Sequence, residues 1–86
     1  MNSSLFPEVT SFQHLRQTIR IMLHESGCDF SLCRMPEFGL IELRVRLPDG
    51  RIEVTEHSYS GYASRFENMQ CYLEVMQQVM YHLENA

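Results

Sequence analysis

The sequence predicts a two-layer α+β domain of order α-β-β-β-α, a three-stranded antiparallel sheet with two helices packed on one face. Three observations carry this expectation. Apolar residues recur at helical spacing near both ends, residues between Phe30 and His57 alternate with a period of two, and turn residues cut that stretch into three. With 86 residues, 44% of them hydrophobic and 21% charged, the chain is apolar enough to fold and has room for a single core. Residues 1–86 are therefore read as one small domain, with 1–9 as an N-terminal extension.

The first helix is announced at Thr10, which with Gln13 has the spacing of a capping box, and Gly27 offers a left-handed stop. Between them Phe12, Leu15, Ile19, Met22 and Leu23 share one stripe, and Ile21 lies on the opposite side. From Cys28 the period changes. Phe30 and Leu32 alternate with Asp29, Ser31 and Cys33, Met35-Pro36-Glu37 breaks the run, and a longer strand follows from Phe38 to Leu47. In it Ile41, Leu43, Val45 and Leu47 form a core face, with Glu42, Arg44 and Arg46 on the wet one.

Pro48-Asp49-Gly50 turns the chain into a third strand, Arg51 to His57. A three-residue loop there places Val45 opposite Glu53 and mixes the faces. A two-residue Asp49-Gly50 turn, or a four-residue loop between the same strands, sets Leu47 opposite Ile52 and Val45 opposite Val54. The hydrophobic pattern favours that second register, which also sets Arg46 beside Glu53 and Glu42 beside His57 on the wet face.

After the linker Ser58-Tyr59-Ser60-Gly61, Ser64 and Glu67 give a second capping box. The helix that follows carries Phe66, Met69, Leu73, Met76, Met80 and Leu83 at alternating steps of three and four, the a/d seam of a heptad, widened by Tyr72 and Val79 and extended by Tyr62. Val75 lies beyond this seam, so a lone chain is expected to expose it.

Chemical motifs are sparse. His24 and Cys28 stand four apart, and Cys33, Cys71 and His57 supply further metal donors, but the paired knuckles of structural zinc sites are missing. The cysteines are read as free thiols, and no metal or other cofactor is expected. There is no Gly-x-Ser-x-Gly elbow, no HExxH helix and no glycine-rich phosphate loop. The expectation is a protein that is not an enzyme.

Eleven acidic residues against seven basic ones give a net charge of -4, which weighs against phosphate-driven binding. Every basic residue is Arg, suited to planar, paired hydrogen bonds with carboxylates. The α-β-β-β-α order resembles the topology of double-stranded-RNA-binding domains, and that resemblance supplies the alternative reading: a nucleic-acid-binding domain using Arg44, Arg46 and Arg51 on the open sheet face. Against it, the second helix opens with Ser64-Arg65-Phe66-Glu67 and not with a basic cluster, and the open face offers no aromatic platform for bases.

The favoured expectation is a small regulatory or interaction protein that binds itself or another protein. Its interface is placed on the methionine-rich helix at Met69, Leu73, Val75, Met76 and Met80, as a homodimer. An odd number of cysteines, with neither a secretory pattern over Met1–Val9 nor a membrane-length apolar run, points to the cytoplasm.

Overall fold

The computed structural model describes residues 8–60 and 64–85. They form the α+β arrangement expected: α1 (Phe12–Met22), β1 (Asp29–Met35), a 3-10 turn at Pro36–Phe38, β2 (Leu40–Arg46), β3 (Ile52–Ser58) and α2 (Arg65–Glu84). The sheet is antiparallel in the order β1-β2-β3, so β2 is central and the other two strands are edges. Tyr62 and Gly61 lie outside the described residues.

Helix α1 begins one residue later than the Thr10 box implied. Ser11, in extended conformation, is the N-cap, and its hydroxyl accepts the His14 N–H at 3.1 Å. Serine is the stronger cap of the two. The entering chain is packed down as well: Val9, read as part of an extension, is buried in the core. Phe12, Leu15, Thr18 and Ile19 are buried, while Ile21, on the opposite side, is 75% exposed.

On β2 the alternation holds as read. Ile41, Leu43 and Val45 are fully buried, Arg44 and Arg46 are exposed, and Leu47 extends the core face. The hairpin to β3 does not follow the expected register. Val45 stands opposite Glu53, Arg44 opposite Val54 and Arg46 opposite Ile52. The loop is the three-residue Pro48-Asp49-Gly50, closed by Leu47 N–H to Arg51 C=O at 2.8 Å and Gly50 N–H to Leu47 C=O at 2.9 Å, with Gly50 at φ +95°. The Asp49 carboxylate accepts the Arg51 N–H at 2.9 Å.

Pro48 excludes the two-residue form of the expected turn. A two-residue Asp49-Gly50 turn needs the residue at 48 to donate its N–H to Arg51, and proline has none to give. Shifting the pairing by one residue hands that bond to Leu47 and turns β3 over. The pairs expected on the wet face, Arg46 with Glu53 and Glu42 with His57, are consequently absent.

Helix α2 opens with the expected box: the Ser64 N–H donates to Glu67 Oε1 at 2.9 Å, and the Glu67 N–H to Ser64 Oγ at 3.1 Å. Its buried side, however, is Cys71, Tyr72, Val75, Met76, Val79 and His82. The heptad seam lies to one flank of it. Phe66 is exposed, and Met69, Leu73, Met80 and Leu83 are half-buried. The Val75 expectation is thus overturned, because the helix is rotated to put Val75 against the sheet, at 0% exposure within one chain.

Both helices run in the same direction. Phe12 lies by Arg34 and Arg16 reaches Leu32, so α1 is antiparallel to β1. The start of α2 shares a cleft with Ser58 and its end a depression with Glu53, so α2 is antiparallel to β3.

Candidate functional site

The turned-over β3 creates the most unusual surface of the molecule. Ile52 is 57% and Val54 46% exposed on the open face, while Glu53, Thr55 and His57 point to the helix side and are half-buried. A half-buried strand ordinarily does the reverse. Beside the apolar pair stand Arg44 and Arg46 of β2, and on β1 the open face carries Asp29, Ser31 and Cys33.

The arginines assigned to nucleic-acid contact are internally occupied. Arg44 pairs with Glu42 at 3.2 Å and Arg46 with Asp29 at 3.4 Å, both on the open face. Arg51 does not join them. It sits one position before β3 with the parity of Glu53, paired with Asp49 at 3.0 Å and Glu53 at 3.7 Å, and it lines a depression with Tyr81 and His82 of α2. Each charge already has a carboxylate neighbour, which reduces the net positive field a phosphate would meet. The hydrogen bonds from Arg51 hold the Asp49 carboxyl below its usual range, its backbone N–H contributing most.

On the helix side a polar strip separates β3 from α2. Thr55 Oγ1 and His57 Nε2 lie 3.0 Å apart, and Gln78 Nε2 and the buried His82 Nε2 3.2 Å apart. Desolvation lowers the His57 pKa, opposed by the Glu74 carboxylate. Above this strip a cleft of about 450 Å³ runs between the end of β3 and the start of α2, lined by Tyr59, Phe66, Glu67, Cys71 and Glu74 among others. Burial, with Glu74 nearby, pushes the Cys71 thiol up to about 11, which disfavours its thiolate at neutral pH. Tyr72, stacked at 6.3 Å on Tyr59, is likewise pushed up to about 12 by burial and by its hydrogen bond with Tyr59. Among the described residues no three His, Cys, Asp or Glu side chains converge as metal ligands.

The helical interface read from the sequence is not assembled as expected. Val75 and Met76 belong to the core of one chain. Leu73 packs half-buried against that core, and Met69 and Met80 are half-buried on the same flank of α2. Ile52 and Val54, by contrast, stand outside the core in which the expected register places them, and Pro48, which excludes the two-residue turn, is the sequence signal against that register.

Compared with protein-family models, curated proteins and solved structures, the chain matches none. No helix of the described residues is long and apolar enough to cross a membrane.

Proposed function

We propose that the protein is a non-catalytic binding protein that acts by protein–protein contact through the open face and free edge of β3. The observation that carries this reading is the outward display of Ile52 and Val54 on an edge strand. An edge already exposes backbone donors and acceptors, and adding apolar side chains to it makes a surface that a second strand satisfies with main-chain bonds and side-chain contacts together. The nucleic-acid alternative is weaker, since Arg44 and Arg46 are spent on Glu42 and Asp29. The three free thiols, one of them the exposed Cys33, suit a reducing compartment such as the cytoplasm.

The test compares the native chain with a double variant, Ile52→Asp with Val54→Asp, as immobilised bait for proteins of the source cell and for a second, differently tagged copy of the chain. Both side chains are exposed, so the variant should retain its fold, checked by circular dichroism. The expected result is a protein held by the native chain at 0.1 and 0.5 M salt alike and lost with the variant, the salt values being order-of-magnitude choices that span roughly a twofold change in screening length. Equal retention by both baits, or retention only of nucleic acid that salt removes, would overturn the reading.

A further inference from the structure

Resting on that reading, we infer that the occupant of the β3 edge is a second copy of this chain, paired antiparallel through β3 about a two-fold axis at Thr55. The two edges of the sheet are treated differently. At β1, the Arg16 guanidinium donates to the Leu32 carbonyl at 3.2 Å, and Arg34 on the helix side lies 4.8 Å over the Phe12 ring, so a charged pair guards that edge. At β3 no other segment of the described residues pairs with the outer side.

Hydrogen-bond parity defines what β3 offers. The bonds Leu47 N–H to Arg51 C=O and Tyr59 N–H to Gly39 C=O mark bonded pairs at both ends of the hairpin. Because bonded and non-bonded pairs alternate, Glu53, Thr55 and His57 direct their backbone groups to β2, and Ile52, Val54, Glu56 and Ser58 direct theirs outward. The same parity sends the Leu32 carbonyl outward on β1, where Arg16 meets it. Among the described residues these four outward positions have no strand partner and can form a ladder.

The exclusion of like carboxylates and the pairing of polar side chains then select the register. A two-fold pairing that keeps helix-side residues opposite helix-side residues must centre on a residue, not between two. Centred on Glu53 or Glu56 it sets like carboxylates opposite each other, and centred on Val54 it sets Glu53 opposite Thr55 and His57 opposite Arg51, so no carboxylate meets a histidine. Centred on Thr55 it pairs Thr55 with its own copy and Glu53 with His57 of the second copy, twice, with Val54 bonded to Glu56 and the two Val54 side chains diagonal neighbours on the open face. Along α2, His57 lies by Glu74 and Glu53 by His82, so this axis also sets the polar Gln78 flanks of the two helices nearest each other. The assembly is a six-stranded sheet with its helices on one side and the guarded β1 edges outermost.

The experiment uses the purified full chain. Light scattering over a concentration series should show a mass rising to twice the 10.1 kDa of one chain. Residue-resolved amide exchange should show Val54 and Glu56 gaining protection with concentration, while Thr55 and His57 are protected throughout. Val54→Pro removes an outward N–H together with the Val54 side chain, leaves the bonds from β3 to β2 in place, and should weaken association at least tenfold. His57→Glu sets like carboxylates opposite each other at Glu53 and should be a single chain, whereas an equimolar mixture with Glu53→Lys removes that clash on both sides and should dimerise. A native chain of single mass at every concentration overturns the inference, as does a mixture that stays dissociated or a Val54→Pro chain that dimerises unchanged. Should the native chain be monomeric while the double Asp variant still loses a different captured protein, only the self-pairing falls and the binding reading stands.

Discussion

Val75→Ala separates a core α2 from an interfacial one. Val75 has no exposed surface within a single chain and lies in one cluster with Leu43, Val45 and Val79. Removing its two methyl groups forfeits about 1.6 kcal/mol at ~0.8 kcal/mol per buried carbon, and the cavity left behind raises the cost to about 2–3 kcal/mol. Total stability for this length is about 4–13 kcal/mol, from roughly 0.05–0.15 kcal/mol per residue. The variant should therefore fold but melt roughly 10–20 °C lower, taking about 4–8 °C per kcal/mol for a domain of this size. Urea unfolding at dilute, single-chain concentration measures the difference directly. Ile21→Ala, at a position 75% exposed, is the control and should stay within about 0.5 kcal/mol of native. A Val75→Ala chain whose monomer stability falls by under about 1 kcal/mol, with its self-association altered instead, would refute the rotation of α2 described above.

Two further outcomes test the hairpin and the polar strip. Gly50→Ala should cost about 1–2 kcal/mol in urea unfolding from backbone strain alone, because Gly50 sits at φ +95° with nothing within 4 Å of an added Cβ; a neutral result would mean the loop relaxes to another turn. His57, its pKa lowered by burial against β2 and α2 with Glu74 alone opposing, binds fewer protons folded than unfolded. Its contribution to stability is therefore complete above about pH 6.5 and is lost as pH falls from there through the lower folded value; unfolding curves from pH 8 to 5 should be flatter in His57→Gln, and an unchanged slope would remove His57 as the cause.

Where one local rule acted alone, the residues were enough to read the structure. The Ser64 and Glu67 box, the inward row Ile41, Leu43 and Val45, and the outward Ile21 all follow from spacing and one-sided burial. On α2 two apolar stripes overlap, Phe66–Met69–Leu73–Met80 and Tyr72–Val75–Met76–Val79, and helical spacing cannot rank them. Packing ranks them, through positions the sequence does not juxtapose: Cys71, Tyr72, Val75, Met76 and Val79 join the buried cluster that holds Ile41, Leu43 and Val45 of β2.

At β3 two local rules disagree, and the disagreement carries the functional reading. Hydrophobic alternation would bury Ile52 and Val54, worth ~1.5–3 kcal/mol each if complete. Pro48 denies the two-residue turn its closing bond, while Leu47, Asp49 and Gly50 together satisfy the observed register with two backbone bonds and a side-chain cap on Arg51. A chain that only needed a stable monomer could recover the burial by replacing Pro48, or by exchanging Ile52 and Val54 for polar residues and Glu53 and Thr55 for apolar ones. It instead keeps apolar groups outward on the edge that Arg16 does not guard, and polar groups inward where Glu53 and His57 are spaced to meet each other across a two-fold axis. A second strand paired there, as proposed, would satisfy the outward backbone groups of β3 while Ile52 and Val54 stay on the open face beside it.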